Sequence, residues 1–75
     1  MNPTIYTYPE SSKYAGIRRY NGEKLPKSPV EKSPHREGYW LIRRGFAGWN
    51  SPANRALGFA TKGIALATIR LYQSE

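Results

Sequence analysis

Cysteine and aspartate are both missing from this 75-residue chain. Without Cys there is no disulfide framework and no thiolate metal site. Without Asp, and with one lone histidine, His35, there is little material for a hydrolytic centre or a metal site. All the acids are glutamates: Glu10, Glu23, Glu31, Glu37 and Glu75. No apolar run approaches the ~20 residues that a membrane span needs. The segment Met1-Asn2-Pro3-Thr4-Ile5-Tyr6 lacks the basic and apolar regions of a signal peptide. These absences lead us to expect a cytoplasmic (intracellular) protein that needs no cofactor, no metal and no membrane.

Positive charge, in contrast, is plentiful. Twelve Lys and Arg against five acids leave +7, with a pI near 10.1. The charge is concentrated in the middle. Residues 1–12 carry −1, residues 13–44 carry +6 and residues 45–75 carry +2. A basic segment of this kind reads as an anion-facing surface. At 8.5 kDa the chain holds one small domain, residues 1–75, near the size at which a single core becomes marginal. A partner or a homodimer would supply further burial.

Apolar patterning outlines an α+β domain. Residues 1–12 read as an N-terminal arm, whose Thr4-Ile5-Tyr6-Thr7-Tyr8 is β-prone up to Pro9. Residues 14–20 form a candidate strand that runs into Asn21-Gly22, a type I′ hairpin signal. Its partner Glu23-Lys24-Leu25 is cut short by Pro26. Residues 25–38 hold Pro26, Pro29 and Pro34 and read as a flexible, basic, Pro-rich loop. Residues 39–44 are the clearest strand, and residues 55–60 are a third candidate. Ala53-Asn54-Arg55-Ala56-Leu57 could instead make a helical turn started by Ser51-Pro52. Thr61 is a candidate N-cap for a helix over residues 62–72, with Ala65, Ile69 and Tyr72 on one face. The expected architecture is a three-stranded antiparallel sheet packed by one C-terminal α-helix. Its core would be Ile17, Trp40, Ile42 (or Leu41 in the opposite register), Leu57, Phe59, Ala65, Leu66 and Ile69.

Two strands end in arginine pairs beside aromatic rings: Ile17-Arg18-Arg19-Tyr20 and Leu41-Ile42-Arg43-Arg44. Arginine offers planar, multidentate donors to phosphate, and Tyr and Trp faces stack on unpaired bases. The candidate nucleic-acid contacts are Arg18, Arg19, Tyr20, Lys24, Lys27, Lys32, Arg36, Tyr39, Arg43 and Arg44. A solvated, aggregation-resistant sheet edge is the plainer account of the same pattern. The segments Lys27-Ser28-Pro29 and Lys32-Ser33-Pro34-His35-Arg36 resemble the Ser-Pro-basic elements of chromatin-type tails, although a solvated loop is their simpler account. Phe46 and Trp49, in a glycine-rich turn, are either a cap over the core or an exposed hot spot for a protein partner. No nucleophile has an evident base and no phosphate loop follows a strand into a helix, so the chain reads as a non-enzyme.

The order Gly16-Ile17-Arg18-Arg19, then Gly38-Tyr39-Trp40-Leu41-Ile42, then Leu57-Gly58-Phe59-Ala60-Thr61-Lys62-Gly63-Ile64-Ala65 resembles AP2-type and integrase arm-binding domains. In those families three antiparallel strands precede one helix. The resemblance implies DNA contact through sheet residues, here Arg18, Arg19, Trp40, Arg43 and Arg44. The chain departs from that pattern at the 25–38 insertion, the Gly-rich segment 45–54 and Gly63-Ile64. Short, basic, cysteine-free chains are also typical of small phage or mobile-element proteins. The expected function is therefore non-enzymatic nucleic-acid binding of a regulatory kind, with DNA ahead of RNA. The alternative is a small basic inhibitor or adaptor that docks on the acidic surface of a larger protein.

Overall fold

The computed structural model describes residues 4–74. The elements in chain order are β1 (Tyr6–Thr7), β2 (Arg18–Arg19), β3 (Val30–Lys32), β4 (Trp40–Ile42), α1 (Pro52–Arg55) and α2 (Lys62–Gln73). They form two antiparallel pairs, β1–β2 and β3–β4. The registers are Tyr6 opposite Arg19 and Val30 opposite Ile42.

The single three-stranded sheet expected over residues 14–20, 39–44 and 55–60 does not form. Two separate sheets replace it, so the arrangement implied by the AP2-type resemblance is absent. The class remains α+β. Each pair gains one further bridge: Arg19 with Phe46, and Trp40 with Phe59. Of the expected third strand only Phe59 pairs, exchanging two 2.7 Å hydrogen bonds with Trp40. Pro52 starts α1 upstream of it, since a proline suits the first helical position. Gly58 then turns at φ +99°, with its α-carbon so close to the Trp40 carbonyl that a side chain has no room. Leu57, expected in the core, is left 41% exposed.

Two carboxamides complete the sheet edges in place of a strand. Asn54 Oδ1 accepts from the Ile42 N–H, and its Nδ2 donates to the Ile42 carbonyl at 3.1 Å. At the other sheet, Gln73 Oε1 accepts from the Arg18 N–H at 2.9 Å, while Nε2 donates to the Gly16 carbonyl at 2.7 Å. Edge groups that would otherwise lack partners are thereby satisfied.

Residues 25–38 are more ordered than a Pro-rich loop suggests. They contain β3, and Pro29 and Val30 are buried. The N-terminal arm is likewise a participant, since β1 pairs with β2 and Tyr8 is buried. Met1 to Pro3 lie outside the described residues, as does Glu75. The Asn21-Gly22 hairpin does not form. Tyr20 donates its N–H to the Gly45 carbonyl at 2.7 Å instead, and residues 23–25 make no strand.

The core comprises Tyr8, Tyr14, Ile17, Val30, Ile42, Phe46, Ala65 and Ile69, with Trp40, Phe59 and Leu66 packed at its margin. Ile42, not Leu41, points inward. The Tyr8 ring meets Tyr14 edge-on at 5.4 Å and stacks on Phe46 at 6.1 Å. Helix α2 follows its sequence signals closely. The Thr61 hydroxyl accepts from the Ile64 N–H at 3.1 Å, and Ala65 and Ile69 face the sheets. The Arg70 guanidinium donates to the Ala15 carbonyl at 3.0 Å, pinning the end of α2 to the turn before β2.

Candidate nucleic-acid interface

Ten of the twelve expected contact residues fall into three groups. Arg18, Tyr20, Arg44 and Trp49 come together. Tyr20 leaves β2 and Trp49 sits in the turn after Phe46, and both line a groove of about 540 Å³. Tyr72, from the last turn of α2, forms a third aromatic wall. The three rings are exposed at 37%, 42% and 42% respectively. Arg18 Nε donates to the Tyr20 hydroxyl at 3.0 Å, and its guanidinium lies 5.8 Å from the ring centre. The Arg44 guanidinium lies 6.0 Å from the Trp49 ring. No carboxylate among the described residues lines this groove. Ser51, also among its lining residues, has a buried hydroxyl with no hydrogen-bond partner among the described residues.

A second cluster lies at the β3–β4 end. Lys32, Pro34, Tyr39 and Trp40 line a groove of about 550 Å³, which also contains Glu37. Arg36 sits 4.8 Å over the Tyr39 ring. Lys62, which sequence reasoning did not single out, lies 5.5 Å over Trp40 and 6.0 Å over Tyr14. His35 is exposed near this end. Lys24 and Lys27 are exposed and line neither groove.

The third group is committed to the fold. Arg19 donates to the Lys24 carbonyl at 2.6 Å and the Arg44 carbonyl at 3.1 Å, pairs with Glu23 at 3.2 Å, and covers the Phe46 ring. Arg43 donates to the Ser28 carbonyl at 2.9 Å and pairs with Glu31 at 2.9 Å. Arg19 commits all three guanidinium nitrogens to these bonds, whereas Arg43 commits Nε and Nη1 and its side chain stays 37% exposed. Phe46, expected with Trp49 in an exposed hot spot, is fully buried. It bridges to Arg19 and stacks on Tyr8, so only Trp49 of that pair reaches the surface.

Helical spacing places Tyr72 on one face with Ala65 and Ile69. The last turn of α2 reaches β2 through Gln73, while the Tyr72 ring lies in the groove wall, 42% exposed. The only sequence signal for this was its place at the helix end.

Two tyrosines titrate abnormally. Burial pushes the Tyr8 phenol above its ordinary value, and neighbouring Tyr14 adds to this; Arg19 and Arg43 oppose it. Its hydroxyl donates to the Pro26 carbonyl at 2.7 Å. The Tyr14 phenol is held below its ordinary value, chiefly by Ser28 and then by the Lys62 ammonium, against the effect of burial.

Among the described residues no group of three or more His, Cys, Asp or Glu could hold a metal ion. No helix is long and apolar enough to cross a membrane. Compared with family models, curated proteins and solved structures, the chain matches none.

Proposed function

We propose that the protein binds nucleic acid without catalysing a reaction on it, in a regulatory or packaging role and in a cytoplasmic setting. One observation carries the reading. Of the twelve Lys and Arg side chains, Arg19 and Arg43 are paired with glutamates, and the other ten have no carboxylate partner among the described residues. Two of the ten, Arg18 and Arg44, flank the exposed rings of Tyr20 and Trp49, and Arg36 and Lys62 lie over the half-buried Tyr39 and Trp40. Such a surface attracts a polyanion by counterion release and offers rings to bases. DNA is the favoured ligand, as the basic strands first suggested, and RNA the nearest alternative.

Anisotropy titrations of a labelled duplex and a labelled single strand, each at two salt concentrations, test this. Affinity should fall with log salt, at a slope of about −0.9 per neutralised phosphate on duplex DNA. Absence of binding to both at low salt overturns the reading. Docking on an acidic protein remains the second reading and would rest on Trp49 without Phe46. Its signature is a lysate partner that survives nuclease treatment.

A further inference from the structure

The groove between β2, the turn after Phe46 and the end of α2 has a composition that a duplex-binding surface does not require. It joins three exposed rings from three separate elements, Tyr20, Trp49 and Tyr72. Exposing that much aromatic surface in so small a protein is costly, and clustered exposed apolar surface marks a site of interaction. Arginines border two of the three walls, Arg18 at Tyr20 and Arg44 at Trp49. Among the described residues the lining contains no carboxylate to repel a phosphate.

We propose that this groove holds unpaired bases of a single strand, stacked against Trp49, Tyr20 and Tyr72, with Arg18 and Arg44 on the flanking phosphates. The proposal rests on the nucleic-acid reading above and adds the strand state and the site. In a duplex the base faces are covered by their neighbours, so rings in a recess cannot stack on them without unpairing. In a single strand each base offers a π-face, and stacking accepts any base. The Ser51 hydroxyl is the one buried side-chain polar group without a hydrogen-bond partner among the described residues.

The test uses the full chain and three probes of equal length: an oligothymidylate, an abasic strand with the same phosphates, and a duplex. The expected order has oligothymidylate binding about five-fold or more tighter than the abasic strand, and tighter than the duplex. Trp49→Ala and Tyr72→Ala should each weaken oligothymidylate binding by about five-fold or more, while Trp49→Phe, which keeps a ring, retains most of it. Their circular dichroism should match the parent protein, because these rings are exposed. Equal affinity for the thymidylate and abasic strands overturns the groove proposal and leaves general nucleic-acid binding standing. The same holds if Trp49→Ala and Tyr72→Ala both bind the thymidylate like the parent. Failure of all three probes at low salt overturns both.

Discussion

The Asn54 carboxamide closes both main-chain groups of Ile42, accepting from its N–H and donating to its carbonyl, and it also donates to the Trp49 carbonyl at 2.7 Å. One side chain thus does three jobs. It terminates the edge of β4, orients α1 and holds the turn that presents Trp49. Asn54→Ala should destabilise the protein by about 2–3 kcal/mol, because part-buried backbone groups lose their partners. Asn54→Asp should also destabilise, since a carboxylate cannot donate to the two carbonyls. Urea unfolding measures both, and parent-like midpoints would contradict this role.

Gln73 plays the corresponding part at β2, but in a more exposed setting. Water can replace its bonds, so Gln73→Ala should cost only about 1 kcal/mol. Its clearest mark should be faster hydrogen exchange at the Arg18 amide. Unchanged exchange there would show that the edge does not depend on Gln73.

Gly58 and Gly16 both adopt positive φ, at +99° and +82°. They differ in surroundings: a β-carbon at Gly58 collides with the Trp40 carbonyl and the Leu41 side chain, while one at Gly16 meets nothing within 4 Å. Gly58→Ala should therefore cost about 3 kcal/mol or more, and Gly16→Ala about 1 kcal/mol, the strain of the dihedral alone. Thermal melts of the two variants decide this. Equal losses would rule out the close approach at Trp40.

The arginines should separate by role. Arg18→Ala and Arg44→Ala should weaken nucleic-acid binding and lower the salt slope by about 1 each, with little effect on stability. Arg19→Ala should act on stability instead, through the lost bonds to the Lys24 and Arg44 carbonyls and the uncovered Phe46 ring. Paired salt titrations and melts make the comparison. A reduced slope in Arg19→Ala with unchanged stability would reverse the assignment.

Alkaline titration should resolve the two abnormal tyrosines. Both start from an ordinary value of 10.0. The Tyr8 value is raised on folding, so its contribution to stability is complete below pH 10 and is lost as pH climbs through the folded value. The Tyr14 value is lowered, so its contribution is present above pH 10 and is lost as pH falls through its folded value. Tyr14 should ionise before Tyr8. Tyrosinate absorbance reads the order: Tyr14→Phe should remove an earlier phase than Tyr8→Phe does. Loss of the same phase from both variants would refute it.

Local chemistry in the sequence determined much of this protein. Thr61 as cap and the spacing of Ala65 and Ile69 specify α2, because capping and helical periodicity operate within a few residues. The inward faces of Ile17 and Ile42 followed from alternation along short β-prone runs. The excess of Lys and Arg over Glu, and with it the anion-facing character, is arithmetic on side chains. Tertiary structure decided the rest. Whether residues 55–60 pair along β4 depends on what else can satisfy the Ile42 backbone, and Asn54 does so from a helical turn that Pro52 begins. Whether Val30 becomes a strand in a proline-rich run depends on Ile42 lying opposite. Phe46 is buried because Tyr8 and Arg19, distant in sequence, meet over it, whereas Trp49 three residues later has only the Arg44 guanidinium over its ring and stays exposed. The groove exists only because β2, that turn and the end of α2 converge, and convergence of separate elements has no local signature.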